Sequence, residues 1–402
     1  MKKEEQPKKR LSWYWRILII TGAVIVAGIP LAYVPGLGNR YAEKVYPKLY
    51  SVEARITDKV PFALGELLMY VSAVIVAATV VISVVFGIAA IVRAVRRKKT
   101  TGAESGAEEE PRKMRGAGFY RMYMKVFLVL TVIGLWLYVF QWWLPYHDYV
   151  LGEKKHLRDF TVEDLEKARN AIVERINEAI KKVPRDAEGK IIYPTEEQEQ
   201  RVIAESMRKL AGTYPRLAGF YAKPKAAWCS DVLDWMGIGG YTYPYTMELT
   251  YNKYVDPLYR YSLLTHETAH NKGYYKENEA NFLSFLAAYL SDDPLMCYSG
   301  CVDGFLEVDE DYYAALRSLY GEEKAKEIYL AQPQIDETIV SDQADAREVA
   351  DQAYAADDHP LEQYSDTAAD IAEEGWDTQE QLIRDVGYHD VVYLIAEYFA
   401  ER

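Results

Sequence analysis

Leu67 to Val92, "LLMYVSAVIVAATVVISVVFGIAAIV", is a run of 26 residues without one charged side chain. As a helix it would be about 39 Å long, more than the roughly 30 Å hydrocarbon core of a bilayer. Backbone in hydrocarbon must satisfy its own polar groups, so the helix is the form such a run takes when it crosses. Ser72, Ala73, Ala77 and Ala78 allow neighbouring helices to approach closely.

Two more segments read the same way. Ile17 to Val34 is uncharged, with Pro30 as a possible kink site, and has no small-residue cleavage site, so it reads as an uncleaved anchor. Val126 to Leu144 ends in an aromatic cluster of Trp142, Trp143 and Tyr146, the composition of a membrane interface. Residues 1–146 are therefore expected to form a membrane region with spans at about 17–34, 67–92 and 126–144.

Basic residues set the expected orientation. Lys2, Lys3, Lys8, Lys9 and Arg10 precede the first span, "RAVRRKK" follows the second, and Arg121 and Lys125 precede the third. The positive-inside rule puts these on one side, with a cytoplasmic N-terminus, a flexible cytoplasmic linker at 101–118 and residues 147–402 outside a cell membrane crossed several times. A net charge of −13, from 60 acidic and 47 basic residues, argues against a nucleic-acid partner.

The outer part reads as mainly helical. Asp159–Lys182 and the stretch after Tyr193 have helical apolar spacing, with Thr161 and Thr195 as caps. Residues 309–332 read as a helix, and the last stretch from Asp377 carries apolar positions that dock back on the domain. An acidic insertion, about 333–374, reads as partly loose. Glycines at 237, 239 and 240 and prolines at 244 and 257 interrupt the middle, where Thr246–Tyr251 is expected to form a short edge strand along a cleft. Cys297 and Cys301, in "CYSGC", are spaced for a short disulfide across a turn.

The chemistry concentrates in "LLTHETAHNKGYYKENEANF", Leu263 to Phe282. The chain has only 6 histidines, and His266 and His270 stand four apart, on one face of a helix, where both imidazoles reach one ion. Glu267 sits beside the first ligand. It can take a proton from a zinc-bound water and later give it to a leaving amine. Leu263, Leu264 and Ala269 make the rest of the face apolar, and burying these polar groups there is costly without an ion or partners.

A third ligand is expected after Gly273, which ends the helix in a left-handed turn. Glu277 and Glu279 are the carboxylates available. Glu279 leads into the apolar run and shares a face with Leu283 and Leu286, which favours it for the metal, with Asn281 orienting a ligand from behind. A transition-state donor is expected late in the chain, at Tyr388 or His389 in "DVGYHDVV".

"HETAH", a short glycine-containing turn and "ENEANF" resemble the gluzincin class of zinc metallopeptidases. The three spans followed by "GIGGYTYPYTMELTYN", "LLTHETAH" and "NEANFLSFLAAYLSDDPLMCYSG" resemble the DUF3810 family of bacterial membrane proteins. That resemblance implies His266, His270 and Glu279 as metal ligands and Glu267 as the catalytic carboxylate, and it favours Tyr388 as the donor. The acidic insertion after about Gln332 departs from the family pattern.

The expected fold is three transmembrane helices followed by a mainly α-helical (α+β), gluzincin-like metallopeptidase domain with a short edge strand. The expected function is a membrane-anchored, Zn2+-dependent metallopeptidase acting on a protein segment or peptidoglycan-linked peptide near the outer surface of the cytoplasmic membrane. The rivals are a non-catalytic scaffold or sensor with a structural metal, and a zinc hydrolase acting on a non-peptide amide. An open coordination position favours catalysis over the first.

Overall fold

The computed structural model describes residues 12–101, 116–147, 151, 160–357 and 390–402. Three of its helices are long and apolar enough to cross a membrane: Trp13–Leu31 (α1), Leu64–Arg96 within Leu64–Thr101 (α4), and Ala117–Tyr146. The last comprises Ala117–Leu137 (α5), a π-helical turn at Tyr138–Trp143 and the short Leu144–Tyr146 (α6). The chain is a multi-pass membrane protein with these three candidate transmembrane helices. Pro30 falls in the final turn of α1, which ends at Leu31.

The segment between the first two spans is not a plain loop. Leu37–Lys44 (α2) and Tyr46–Thr57 (α3) are two short helices. Tyr46, Tyr50 and Ala54 share a buried cluster with Tyr146, Met247 and Tyr275. The membrane region and the outer helices thus meet in an aromatic layer.

Val162–Ile180 (α7) and Glu196–Lys209 (α8) start on reciprocal capping boxes, Thr161 with Asp164 and Thr195 with Gln198. α7 lies along Pro294–Tyr320 (α12), the long helix of the domain. Arg169 is buried between them, its Nε donating to Asp309 Oδ1 at 2.6 Å. Gly300 and Gly304 let α12 press against Glu277–Tyr289 (α11): a Cβ on Gly304 would stand 2.2 Å from the Phe285 ring, and one on Gly300 2.4 Å from Ala288 Cβ. Cys297 and Cys301 lie in this helix as buried thiols with Sγ atoms 3.9 Å apart. The disulfide expected across a turn is not formed, because the segment is regular helix.

α12 ends at Gly321, whose φ of 77° breaks the expected 309–332 helix; Glu322–Ala331 (α13) follows. The first part of the acidic stretch, where it is described, is helical. Thr338–Ala355 (α14) is held by Asp342, which takes Arg185 Nη1 and Nη2 at 2.6 and 2.8 Å and the Tyr298 hydroxyl at 3.1 Å. Asp390–Ala400 (α15) docks back as expected, burying Val391, Val392, Ile395 and Phe399.

A short helix, Ser230–Trp235 (α9), and a small open sheet complete the domain. The strand order is Lys225–Ala226 (β1), Glu248–Tyr251 (β3), Gly240–Tyr243 (β2), with β1 parallel and β2 antiparallel to β3. The strand expected at the edge, Thr246–Tyr251, is therefore the middle one. The "GGYTY" stretch, which reads as a helix breaker, supplies the edge strand β2 instead. The fold is thus a largely helical domain with a three-stranded sheet, carried on apolar helices.

Candidate metal centre

Arg260–Asn271 (α10) carries the histidines. Its end is a left-handed turn at Gly273, with φ 88°. Gly273 N–H donates to the His270 carbonyl at 2.9 Å and Tyr274 N–H to the Ala269 carbonyl at 3.1 Å. A side chain at 273 is excluded twice, by φ and by Tyr46, whose ring lies 2.8 Å from the Cβ position. This turn swings the chain into α11 so that the start of α11 faces the imidazoles.

The two rings stand 4.5 Å apart, edge to face. Each holds a partner at Nδ1: Asn281 Oδ1 at 2.7 Å for His266, and the Tyr274 carbonyl at 2.9 Å for His270. Both partners are oxygens that accept, so both Nδ1 atoms donate and Nε2 is left as the nitrogen able to ligate. The Nε2 atoms converge on one carboxylate, His266 on Glu277 Oε2 at 3.1 Å and His270 on Glu277 Oε1 at 3.4 Å. With Nδ1 protonated in a neutral ring, lone pairs point at lone pairs, and the arrangement calls for a cation between them. His266, His270 and Glu277 form a cluster able to hold a metal ion, with ligand atoms all within 4.8 Å of one another.

The donor set is one that can hold a divalent metal ion: two imidazole nitrogens and a carboxylate oxygen, with both rings fixed from behind. A proton satisfies the same site. Burial pulls His270 down, but the Glu277 carboxylate outweighs it and raises the imidazole to about 9. Burial likewise pushes Glu277 up, yet His270 and His266 hold it well below the usual carboxylate range.

Glu277 thus occupies the place for which the sequence favours Glu279. Two residues on a helix are about 200° apart, so the two side chains leave opposite faces of α11. Glu277 shares its face with Asn281, four residues on, and both meet His266. Glu279 is turned away and buried, its Oε1 accepting from Leu151 N–H at 2.7 Å.

Glu267 lies buried beside the cluster. Thr242 of β2 sits against it, with Oγ1 3.2 Å from the Glu267 carbonyl and 3.4 Å from Oε2. Gly240 covers its stem; a Cβ there would be 3.2 Å from Glu267 Cγ and 3.0 Å from the Thr250 carbonyl. That contact explains a glycine inside a strand. Burial pushes the Glu267 carboxyl above its usual range, against the pull of His270 and His266 and with a push from Glu277.

Two further residues border the site that the sequence reading did not single out. Asp303 of α12 is lifted to about 6 by burial, with the Ser262 hydroxyl and His266 pulling the other way. Tyr259, at the N-terminal cap of α10, is 45% exposed. Burial and the charges of Asp303, Glu267 and Glu277 push its hydroxyl up. Its spacing was the available signal: Tyr259 and His266 are seven apart and share a helix face. Tyr259 also walls a cleft of about 860 Å³ with Gly239, Asp256 and Arg347. Tyr388 and His389 lie outside the described residues.

The family model described as "Protein of unknown function (DUF3810)" matches residues 41–377. The chain belongs to the DUF3810 family. The match begins beyond the first span and takes in the aromatic layer, the sheet, the metal-capable cluster and the acidic stretch at 333–374. No curated protein and no solved structure matches this DUF3810 chain.

Proposed function

We propose that this DUF3810 protein is a membrane-anchored metallopeptidase, with a zinc-type ion held by His266 Nε2, His270 Nε2 and the Glu277 carboxylate. The observation that carries the reading is the convergence of both Nε2 atoms on one carboxylate beside a buried second one, Glu267. When bound, such an ion supplies Lewis acidity, polarising a carbonyl and making a water molecule acidic.

The chain's own residues divide the remaining work. Asn281 and the Tyr274 carbonyl hold the imidazoles in orientation. Thr242 engages Glu267 at Oε2, leaving Oε1 to take a proton from water and return it to the departing nitrogen. A raised carboxyl pKa suits a group that must both accept and release that proton. Tyr259, whose hydroxyl lies in the field of Asp303, Glu267 and Glu277, donates to the oxygen that gains charge. The backbone of β2 pairs with the substrate backbone.

By the positive-inside rule, the domain faces outward and the N-terminus lies in the cytoplasm. The test is metal content and peptide cleavage by the full chain, beside H266A and E267Q. The reading requires about one zinc per chain, lost in H266A, and activity lost in E267Q with metal retained. No metal uptake, or E267Q as active as the parent, sinks it.

A further inference from the structure

β2 runs from the candidate site to the membrane. At one end Gly240 lies on Glu267. At the other, the Tyr243 ring fills the space beside Gly65, at the start of the second span; a Cβ on Gly65 would be 2.5 Å from it. The sheet is bolted there. Glu248, paired with Tyr243 across the strands, accepts from Leu64 N–H at 3.2 Å and Gly65 N–H at 2.6 Å and forms an ion pair with Lys225. The carboxylate of Glu66 accepts from Trp228 N–H at 2.7 Å and Cys229 N–H at 2.8 Å. From Leu68 onward the span exposes a run of large apolar side chains, Leu68, Met69, Tyr70 and Val71. Gly65 to Leu68 is about 5 Å along the helix, and Gly240 to Tyr243 is about 10 Å along the strand.

The outer edge of β2 has groups to offer. Asn252 N–H donates to the Gly239 carbonyl at 2.7 Å, and Gly240 pairs with Tyr251. Antiparallel alternation then turns Tyr241 and Tyr243 toward β3 and leaves the amides and carbonyls of Gly240 and Thr242 facing away. Among the described residues, β2 pairs with β3 alone.

Resting on the peptidase reading, we infer that the substrate is the juxtamembrane segment of a protein whose membrane anchor precedes the cleaved bond. β2 points from Gly240 toward the membrane. A strand added antiparallel, the commoner mode, enters beside Tyr243 and leaves past Gly240. Its N-terminal side therefore emerges from the bilayer. At about 3.4 Å per residue, the bond beside Glu267 lies within about ten residues of the anchor. Water adds across that C–N bond. The anchored stub gains the carboxylate and the released C-terminal piece gains the free amine.

The test uses the full chain in phosphatidylethanolamine–phosphatidylglycerol vesicles, with the half-buried Tyr245, just past the membrane end of β2, replaced by a photoreactive benzoyl-phenylalanine. One 20-residue sequence is presented three ways: after an N-terminal membrane helix, before a C-terminal one, and as a free peptide. Cross-linking is read in an E267Q background, and cleavage in the parent with zinc. The expected result is at least tenfold more cross-linking to the N-anchored form, within its first ten residues, and cleavage in the same zone. Equal cross-linking of the other two forms, or none at all, overturns the inference. Efficient cutting of the free peptide also overturns it while leaving hydrolysis intact. Selective cross-linking without cleavage keeps the docking and removes the peptidase reading instead.

Discussion

The Tyr46 hydroxyl, from the segment between the first two spans, donates to the backbone carbonyl of Asn271, the last residue of α10, at 3.0 Å. It also accepts from the Tyr275 hydroxyl at 2.8 Å, at the far side of the Gly273 turn. The membrane region therefore grips the helix that carries both histidines. Tyr46→Phe leaves the Asn271 carbonyl without this donor in a buried layer, at a cost of about 1–3 kcal/mol, while the Tyr275 hydroxyl keeps the Gln141 carbonyl at 2.7 Å. Tyr46→Ala adds a cavity and costs about 3–5 kcal/mol. Thermal unfolding of the full chain in detergent orders the three proteins; equal midpoints would mean that the layer contributes nothing.

The two glutamates of α11 separate by metal affinity. Glu277→Gln removes the carboxylate facing both Nε2 atoms and is expected to abolish stoichiometric zinc. Glu279→Gln touches the contact with Leu151 and leaves zinc bound. Asn281→Ala falls between, losing about 10–100-fold in affinity, because it frees the His266 ring without deleting a ligand. Competition with a chelator of known affinity ranks all three. Zinc retained in the Glu277 variant and lost in the Glu279 variant would reverse the assignment.

What was legible beforehand follows from how local each signal is. The spans need no partner to be recognised, since a 26-residue uncharged run is decisive by itself. The His266–His270 pair is legible because a helix's own period brings the rings together. The third carboxylate is not local: whether Glu277 or Glu279 faces α10 depends on how the Gly273 turn sets α11, and apolar spacing favoured Glu279, which the structure turns away from the imidazoles. The edge strand was hidden because Gly239 and Gly240 read as breakers, whereas a side chain at 240 would press on the Thr250 carbonyl and the Glu267 stem. The role of Tyr46 exists only once the two regions dock. The order in α14 likewise depends on Arg185, which is remote in sequence.

Packing between α11 and α12 predicts a sharp penalty at Gly304. A methyl group there meets the Phe285 ring at 2.2 Å, and the ring is itself buried, so it has little room to retreat. Gly304→Ala is expected to destabilise by about 1–3 kcal/mol. Gly212→Ala has nothing within 4 Å of the new atom and is the matched control. Urea or thermal midpoints for the pair give the difference directly.

The protonation of His270 predicts how zinc binding depends on pH. In the metal-free protein its pKa is raised to about 9, so the proton bridging toward Glu277 stabilises the fold. That contribution is complete below the ordinary histidine value of about 6.5 and is lost as pH rises through about 9. Glu277, held low, adds stability above its ordinary value of about 4.5 and loses it only in strong acid. Metal-free protein should therefore lose stability between about pH 6.5 and 9. Zinc competes for the same nitrogen, so its apparent affinity should climb across that window, with proton release. Chelator-buffered titrations at several pH values measure it, and a flat profile would mean that His270 carries no proton to displace.

Tyr259 gives the sharpest separation between a structural and a chemical role. It stands two helical turns before His266, partly exposed, with its hydroxyl in the field of Glu267, Glu277 and Asp303. A donor there matters only when an oxygen gains charge, so Tyr259→Phe should lower kcat on a cleaved peptide by about 10²–10³. KM should move little, because the ring and its packing remain. Zinc content should not move at all, since Tyr259 is not among the three residues whose ligand atoms converge. A fall in bound zinc would make Tyr259 a support for the site. A rise in KM with kcat unchanged would place it in the wall of the neighbouring cleft, binding substrate equally before and during reaction.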